Sequence, residues 1–310
     1  MTLRLRGQVQ LPPHLGDGGF DHGDVHLPSG RVFVAHTANG TVEVIDGIGL
    51  RHLATIDDCA EASGVLCSPD GAVVIAAARG AGHILVIDPT SIEVRRKIPV
   101  GGRPNGLAWD SLRQRVLVAD VAGNSVSVVE PSTGRVLRTR ELPGRPRWAA
   151  YEPTGDRYLV NVRTPAIVAV VDPESAEIVG TWPVSSAGPH GLDIDRAGQR
   201  AFVACDGSRL VTLDITTGQE TDSVEIAGGP DAIWFHPKKD EVYVAIGDPG
   251  LLQVLDAEGM VVTDTIETGP GAQTTALDAQ RQELFVFVPS SCSTLVFTVG
   301  LERAMGIEPT

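Results

Sequence analysis

Two histidines, His22 and His190, are the side chains in this sequence that could most readily do chemistry. Neutral imidazole is a common ligand for zinc and copper, and it is also a natural acid or base near neutral pH. With Asn105 and Asp231 as further ligands, the two histidines could hold one divalent metal ion. Two histidines alone do not make a metal site, since strong zinc sites usually show three or four clear ligands. One hypothesis is therefore a metal-assisted hydrolase or lyase, in which the metal polarises a carbonyl and activates water.

These four residues belong to a larger polar set, because aligning seven repeated units of the sequence places one polar residue of each unit at the same position. The seven residues are His22, Ser63, Asn105, Arg147, His190, Asp231 and Gln273. Unlike polar groups that converge on one concave place are typical of a small-molecule or metal site. The alternative is that they line the wet mouth of a channel and only contact water. We predict a ligand site at this ring.

A second set of polar residues is expected on the same rim, in the loops between the second and third strands of the units. It comprises His36, Arg79, Asp120, Arg163 and Asp206. Arg147 with Arg79 or Arg163 could hold a carboxylate or phosphate, because guanidinium offers a planar fork of donors. Alternatively, these arginines, Arg147 included, pair with Asp120 and Asp206 as rim ion pairs, which would add little to stability.

Other catalytic signatures are absent from the sequence. It contains no Gly-x-Ser-x-Gly elbow, no Gly-x-x-x-x-Gly-Lys phosphate loop and no His-Glu-x-x-His motif. The four cysteines show no Cys-x-x-Cys spacing, so we expect reduced and mostly buried thiols. They are Cys59, Cys67, Cys205 and Cys292.

The candidate residues are positioned by an internal repeat. Short apolar runs end in an acidic residue at positions 46, 88, 130, 172, 214 and 256, a constant step of 42, and the next step reaches Thr298. Each unit contains four short β-branched runs separated by turn residues, which predicts four antiparallel strands. A four-stranded sheet cannot bury both faces alone, so the units must stack around a closed ring. We predict an all-β fold, a seven-bladed β-propeller with four antiparallel strands per blade.

The two chain ends are expected to close this ring. The seventh unit stops before its fourth strand, and residues 3–11 stand where each other unit carries that strand. Pairing them would remove a sheet edge that invites aggregation. We predict one domain over 1–300, with blade starts near 20, 62, 104, 146, 189, 230 and 272, and a disordered tail over 301–310.

The stretch 102–134, with its Pro-Asn-Gly-Leu-Ala-Trp, Arg-Val-Leu-Val-Ala-Asp and Ser-Val-Ser-Val-Val-Glu segments, resembles the YVTN-type (YncE-like) β-propeller repeat. The resemblance covers essentially the whole chain and implies the propeller fold, with functions that range from binding scaffold to lactonase-like hydrolase. Residues 104–109 also resemble the inner-strand motif of the gluconolactonase and senescence-marker family. That resemblance implies Asn105 alone as a ligand of a divalent cation, while His22 stands where that family carries a glutamate.

Composition narrows the classes of partner. Lys and Arg number 25 against 39 Asp and Glu, which gives a net charge of −14 and opposes binding to a phosphate backbone. No apolar run approaches the roughly 18 residues of a membrane span, and residues 1–7 lack the apolar block of a secretion signal. We expect no nucleic-acid or membrane partner and, for the sequence as written, a cytoplasmic protein. It would be secreted or periplasmic if the true start lay upstream.

The leading prediction is a non-enzymatic propeller that holds a small ligand or a protein partner at the channel mouth. The alternative is a metal-assisted, lactonase-like hydrolase or lyase at the same rim. A third interpretation is an interaction platform with an empty channel.

Overall fold

A computed structural model of the chain, which describes residues 3–300, contains seven sheets of four antiparallel strands each. This confirms the predicted all-β, seven-bladed β-propeller. The inner strands begin at residues 20, 62, 104, 146, 189, 230 and 274. The extent of the domain, 1–300, stays a prediction, and the predicted tail over 301–310 lies outside the described residues.

The strands follow one another in chain order from the inside of each blade to its outside, except in blade 7. Blade 1 comprises β2 (Phe20–His26), β3 (Arg31–His36), β4 (Thr41–Asp46) and β5 (Arg51–Ile56). Blade 2 comprises β6 (Ala62–Cys67), β7 (Val74–Ala78), β8 (His83–Ile87) and β9 (Val94–Pro99). Blade 3 comprises β10 (Pro104–Asp110), β11 (Arg115–Asp120), β12 (Ser125–Glu130) and β13 (Arg135–Glu141). Blade 4 comprises β14 (Pro146–Glu152), β15 (Arg157–Val162), β16 (Ile167–Val171) and β17 (Ile178–Pro183).

The remaining blades continue this order. Blade 5 comprises β18 (Pro189–Asp195), β19 (Arg200–Cys205), β20 (Arg209–Asp214) and β21 (Glu220–Glu225). Blade 6 comprises β22 (Pro230–His236), β23 (Glu241–Ile246), β24 (Leu251–Asp256) and β25 (Val261–Glu267). Blade 7 comprises β26 (Thr274–Asp278), β27 (Glu283–Val288), β28 (Ser293–Val299) and β1 (Leu3–Gln10), with a short 3₁₀ turn (Pro289–Ser291) before β28.

The amino-terminal strand closes the ring, as predicted. β1 pairs antiparallel with β28, with Leu3 opposite Val299 and Gln10 opposite Ser293. It therefore supplies the outer strand that the seventh repeat lacks. The pairing joins the two ends of the described chain in one sheet and covers the outer edge of β28.

Apolar packing between blades holds the disc together. The described residues form seven hydrophobic clusters, one at each junction between neighbouring blades. At the junction of blades 7 and 1, for example, Phe20, Phe285 and Phe287 pack together. Each sheet thus buries both faces, which is why a sheet with two apolar faces is stable here. No helix in residues 3–300 has the length and apolar character needed to cross a membrane.

In five of the seven blades an aspartate at the end of the third strand caps the following hairpin turn. In blade 1, Asp46 Oδ1 accepts hydrogen bonds from the backbone N–H groups of Ile48 and Gly49 at 3.2 and 2.9 Å. Asp88, Asp172, Asp214 and Asp256 accept equivalent bonds. Carboxylate acceptors at this position stabilise the turn, which explains the regular step of acidic residues in the sequence.

A buried polar cluster ties the chain start to blade 1. His14 Nδ1 lies 2.7 Å from His36 Nε2, and His36 Nδ1 lies 3.0 Å from Glu43 Oε1. His52 Nε2 lies 2.8 Å from Glu43 Oε2. Burial acts to raise the pKa of Glu43, but hydrogen bonds from His36, two threonine hydroxyls and His52 outweigh it and lower the pKa to about 2. Glu43 is therefore ionised in the core, where its partners satisfy it.

Candidate functional site

Strand register defines a ring of side chains at the entrance of the channel. Pro104 lies opposite Asp120 in blade 3, and Phe20 lies opposite His36 in blade 1, so Pro104 and Phe20 occupy equivalent positions. The residues that follow them, Asn105 and Asp21, are therefore equivalent as well. We call these residues the mouth ring: Asp21, Ser63, Asn105, Arg147, His190, Asp231 and Gln273. The prediction placed His22 in this ring. It lies one residue further along its strand, and Asp21 takes the place assigned to it.

The misplaced residue lies in one of the three blades whose inner strand does not begin with proline. Proline begins the strand in blades 3, 4, 5 and 6, whereas Phe20 begins it in blade 1, so alignment on proline gives no guide there. The repeat itself contained the signal, because 63 − 42 = 21 leads from Ser63 to Asp21 and not to His22.

Glycines next to the ring bring neighbouring inner strands close together. A Cβ on Gly64 would lie 2.0 Å from the backbone oxygen of Asn105, and one on Gly106 would lie 2.1 Å from that of Arg147. Real Cβ atoms do not approach backbone oxygen so closely, so only glycine fits. The backbone contact at these two positions fixes where Asn105 and Arg147 enter the ring.

His22 forms a second level of the channel together with Trp148, a residue that sequence reasoning did not assign to the site. Their ring centroids are 4.0 Å apart with planes inclined by 31°. Burial lowers the pKa of His22 despite the opposing charges of Asp21 and Asp231. His22 is thus a neutral imidazole packed on an indole below the mouth ring. Equivalent positions in other blades carry small residues: Gly64, Gly106, Gly191, Ala232 and Thr274.

His190 lies between two carboxylates. Its Nδ1 is 2.9 Å from Asp206 Oδ1, and its Nε2 is 3.1 Å from Asp231 Oδ1. Burial would lower the pKa of His190, but the charges of Asp231 and Asp206 outweigh burial and raise it. Burial would raise the pKa of Asp231, yet His190, His22 and Arg147 hold it well below its usual range. The structure therefore favours an imidazolium ion paired with two carboxylates.

Arg147 differs from the other arginines of the rim. Arg79 Nη1 lies 3.1 Å from Asp21 Oδ2, and Arg163 Nε lies 2.6 Å from Asp206 Oδ2. The guanidinium of Arg147 forms no ion pair within residues 3–300, and its Nε is buried without a hydrogen-bond partner there. Arg145 is largely exposed, and partial desolvation together with the nearby charges of Arg147 and Arg163 lowers its pKa. Positive charge is therefore concentrated on one side of the mouth.

The second set of polar residues resolves into two roles. Of the two expected aspartate partners, Asp206 does pair with Arg163. Asp120 instead accepts the backbone N–H groups of Arg103, Ala122 and Gly123. Arg79 finds its partner across the junction between blades, at Asp21. Of the three arginines Arg79, Arg147 and Arg163, only Arg147 thus has no acidic partner in the described chain.

Three other members of the ring have different environments. The Ser63 hydroxyl donates a hydrogen bond of 2.9 Å to the backbone oxygen of Pro104 and so connects blade 2 to blade 3. Asn105 is 4% exposed, and its Oδ1 has no hydrogen-bond partner in the described chain. Gln273 is exposed. Of the three, the Asn105 amide is the one that a ligand would satisfy.

A metal site receives little support from this arrangement. The predicted ligands were His22, His190, Asn105 and Asp231, and the structure brings His190 and Asp231 into contact. Residues 3–300 contain no group of three or more His, Cys, Asp or Glu side chains able to hold a metal ion. Both ring nitrogens of His190 already face carboxylates, so metal binding there would first have to break an ion pair. The metal stays a hypothesis drawn from sequence.

Comparison with curated proteins gives two partial matches. The chain is 27% identical over 95 residues to the protein NirF of Pseudomonas aeruginosa, covering 30% of this chain and 24% of that protein. It is 32% identical over 98 residues to the uncharacterized protein YncE of Salmonella typhimurium, covering 31% of this chain and 28% of that protein. No family model matches the chain. Each match spans only about a quarter of the curated protein, so together with the seven-bladed fold they show a likeness to YncE-like propeller proteins.

Solved structures resemble the chain over nearly its whole length. A chain in the crystal structure of the mitotic checkpoint complex superposes with a TM-score of 0.82 at 15% identity, covering 95% of this chain and 91% of that chain. A chain of hydrazine synthase from Kuenenia stuttgartiensis superposes with a TM-score of 0.81 at 15% identity, covering 94% of this chain and 98% of that chain. At such low identity these likenesses establish the fold, which suits a binding scaffold in general.

Proposed function

We propose that this propeller is a binding protein that holds a small anionic ligand at the channel mouth, between Arg147 and Asn105. The observation that carries the proposal is that the Arg147 guanidinium has no acidic partner in residues 3–300, although Arg79 and Arg163 on the same rim are both paired. A buried donor without a partner is costly, and an external carboxylate or phosphate would supply the missing acceptors.

The neighbouring groups favour the same class of ligand. Arg145 adds a second positive charge beside Arg147, and the charge of Arg147 contributes to lowering the pKa of Arg145. An anion between them would relieve this repulsion. Asn105 presents an amide whose Oδ1 can accept from a ligand hydroxyl, so a hydroxylated carboxylate, such as a sugar acid, fits the donor and acceptor set.

The His190 ion pairs act as a fixed wall of this site and not as ligands. Because both ring nitrogens face carboxylate oxygens, the imidazolium charge is already neutralised locally. The carboxylate of Asp231 also repels an anion on its side of the mouth. A ligand would therefore be directed to the Arg147 side, which gives the site an orientation.

Isothermal titration calorimetry with gluconate and with inorganic phosphate tests the proposal. We expect at least one of these probes to bind the unmodified protein, and Arg147→Gln to weaken that binding at least tenfold. The variant should fold normally, because Arg147 makes no ion pair in the described chain. Arg138→Gln removes the same charge from the exposed outer strand β13 and serves as the matched control.

Two results would count against the proposal. The first is binding that Arg147→Gln and Arg138→Gln weaken equally, which would indicate a general charge effect. The second is no heat from either anion together with binding of zinc that is lost in His190→Ala, which would favour the metal hypothesis instead.

A further inference from the structure

A cavity lies deeper in the channel, and the His22–Trp148 pair forms part of its wall. Its volume is about 230 Å³. Beside aliphatic side chains and the His22 imidazole, its walls contain four aromatic rings and two carboxylates: Trp109, Trp148, Trp234, Tyr151, Asp24 and Asp193. A cavity of this size exceeds one that holds benzene and is smaller than a typical drug-sized pocket. We call it the lower cavity.

The two carboxylates of the lower cavity are held in place by neighbouring blades. Asp24 Oδ2 accepts the backbone N–H of Cys67 at 2.7 Å, across the junction to blade 2. Asp193 Oδ2 accepts the backbone N–H of Phe235 at 2.7 Å, across the junction to blade 6. Each also accepts the N–H of the next residue in its own strand, at 2.7 and 2.8 Å. Both side chains are therefore fixed before any ligand arrives.

These carboxylates lack a cationic partner. No Lys, Arg or His of the described chain forms an ion pair with Asp24 or Asp193, although the exposed Arg196 lies at the edge of the cavity and acts on Asp193 at longer range. Burial, together with the negative charge of Asp193, raises the pKa of Asp24 to about 7. Burial raises the pKa of Asp193 to about 6. Uncompensated negative charge in a cavity partly shielded from water is unfavourable unless a proton or another cation neutralises it.

The walls between the two carboxylates suit a soft organic cation. Trp148 and Trp234 meet edge to face, with ring centroids 6.5 Å apart, and Trp234 Nε1 donates 3.1 Å to the Thr275 oxygen. The indole face attracts cations through its quadrupole, most strongly where water is partly excluded. Indole rings offer nothing to a metal ion, which needs several oxygen or nitrogen ligands.

We propose that the lower cavity binds a small organic cation, an amine or quaternary ammonium group, between the carboxylates of Asp24 and Asp193 and the indoles of Trp148 and Trp234. The carboxylates compensate its charge, and the rings cover its methyl or methylene groups. This site is separate from the anion site at the mouth, so either can fail without the other.

Tryptophan fluorescence of the unmodified protein gives the first test, because three of the four tryptophans line the lower cavity. Titration with choline chloride should change the emission with a saturable curve, whereas sodium chloride at equal ionic strength should not. Calorimetry at pH 7 in two buffers of different ionisation enthalpy should show that choline binding releases protons, since the bound cation favours ionised carboxylates.

Variants then assign the site. Asp24→Asn and Trp148→Leu should each weaken choline binding at least tenfold. Asp222→Asn, an exposed aspartate on the outer strand β21, removes the same charge and should leave binding unchanged. If Asp24→Asn fails to fold, Trp148→Leu and the proton release of the unmodified protein still decide the question.

The proposal is overturned if choline produces neither a saturable fluorescence change nor heat. It is overturned equally if choline binds but Asp222→Asn weakens binding as much as Asp24→Asn and Trp148→Leu do. Binding without proton release would contradict the role of the carboxylates, because a cation held by the indoles alone would not displace their protons.

Discussion

The two ends of the channel hold buried or half-buried aspartates in opposite electrostatic states. At the mouth, Asp231 and Asp206 contact His190, and the pKa of each is lowered. In the lower cavity, Asp24 and Asp193 accept backbone N–H groups alone, and the pKa of each is raised. The four residues share a side-chain type and an enclosed position, so the difference comes from what faces each carboxylate.

Burial raises the pKa of a carboxyl group. An ion pair is strong enough to reverse this effect at the mouth, whereas two backbone N–H hydrogen bonds in the lower cavity are not. The His190 imidazolium and nearby arginines supply charge at the mouth, so the excess there is positive on the Arg147 side. The lower cavity supplies dipoles but no net charge beside Asp24, so the excess there is negative. One channel can therefore present an anion site and a cation site a short distance apart.

The largest effect should come from removing the ion pair at the mouth. His190→Ala leaves Asp231 buried without its nearest cation, and we expect the free energy of unfolding to fall by about 3 kcal/mol, at the lower end of the range for broken buried pairs because Arg147 remains nearby. Urea denaturation at pH 7 measures this. Gln273→Ala, in the same ring but exposed, should change stability by less than about 0.5 kcal/mol. If the two substitutions lowered stability equally, the ion pairs of His190 with Asp231 and Asp206 would not be what stabilises the mouth.

A smaller effect with a defined pH dependence should follow from Asp24→Asn. The raised pKa of Asp24, about 7, means that the folded protein binds this proton more tightly than the unfolded chain. Its contribution to stability is thus fully present below the unfolded pKa of about 3.8 and is lost as pH rises to about 7. Because one pKa unit equals about 1.4 kcal/mol and water reaches the carboxylate, we expect a relative gain for the variant of about 2 kcal/mol between pH 4 and pH 7.

Urea denaturation at several pH values, with Asp222→Asn as control, measures this gain. The variant also loses one backbone hydrogen bond to Cys67, which shifts its stability equally at every pH and so leaves the slope interpretable. If the free energies of unfolding of the wild type and of Asp24→Asn changed in parallel between pH 4 and pH 7, the Asp24 carboxyl group would not be the titrating group.

The fold was predictable because its signals are local and repeated. The acids at the ends of the third strands cap hairpin turns, so their step of 42 reports the blade directly. The absent fourth strand of the last unit and the extra strand over residues 3–10 likewise predicted the closure that β1 and β28 make. Each of these features depends on one strand or one turn and its nearest neighbour.

The site was predictable only in outline, because its chemistry depends on contacts between blades. The sequence identified six of the seven mouth-ring residues but could not show that Arg79 pairs with Asp21 and Arg163 with Asp206, which leaves Arg147 free of any acidic partner in the described chain. Asp24 and Asp193 were assigned no role from the sequence. Their raised pKa values follow from burial in a cavity that forms only when the ring closes.

The most direct test of the opposition between the two ends is a pH titration of the aspartate carboxyl carbons by NMR. The account predicts that Asp24 titrates at about 7 and Asp193 at about 6, whereas the pKa of Asp206 lies below the usual aspartate value and that of Asp231 lies well below it. Titration of all four together near the ordinary aspartate value of about 4 would contradict it.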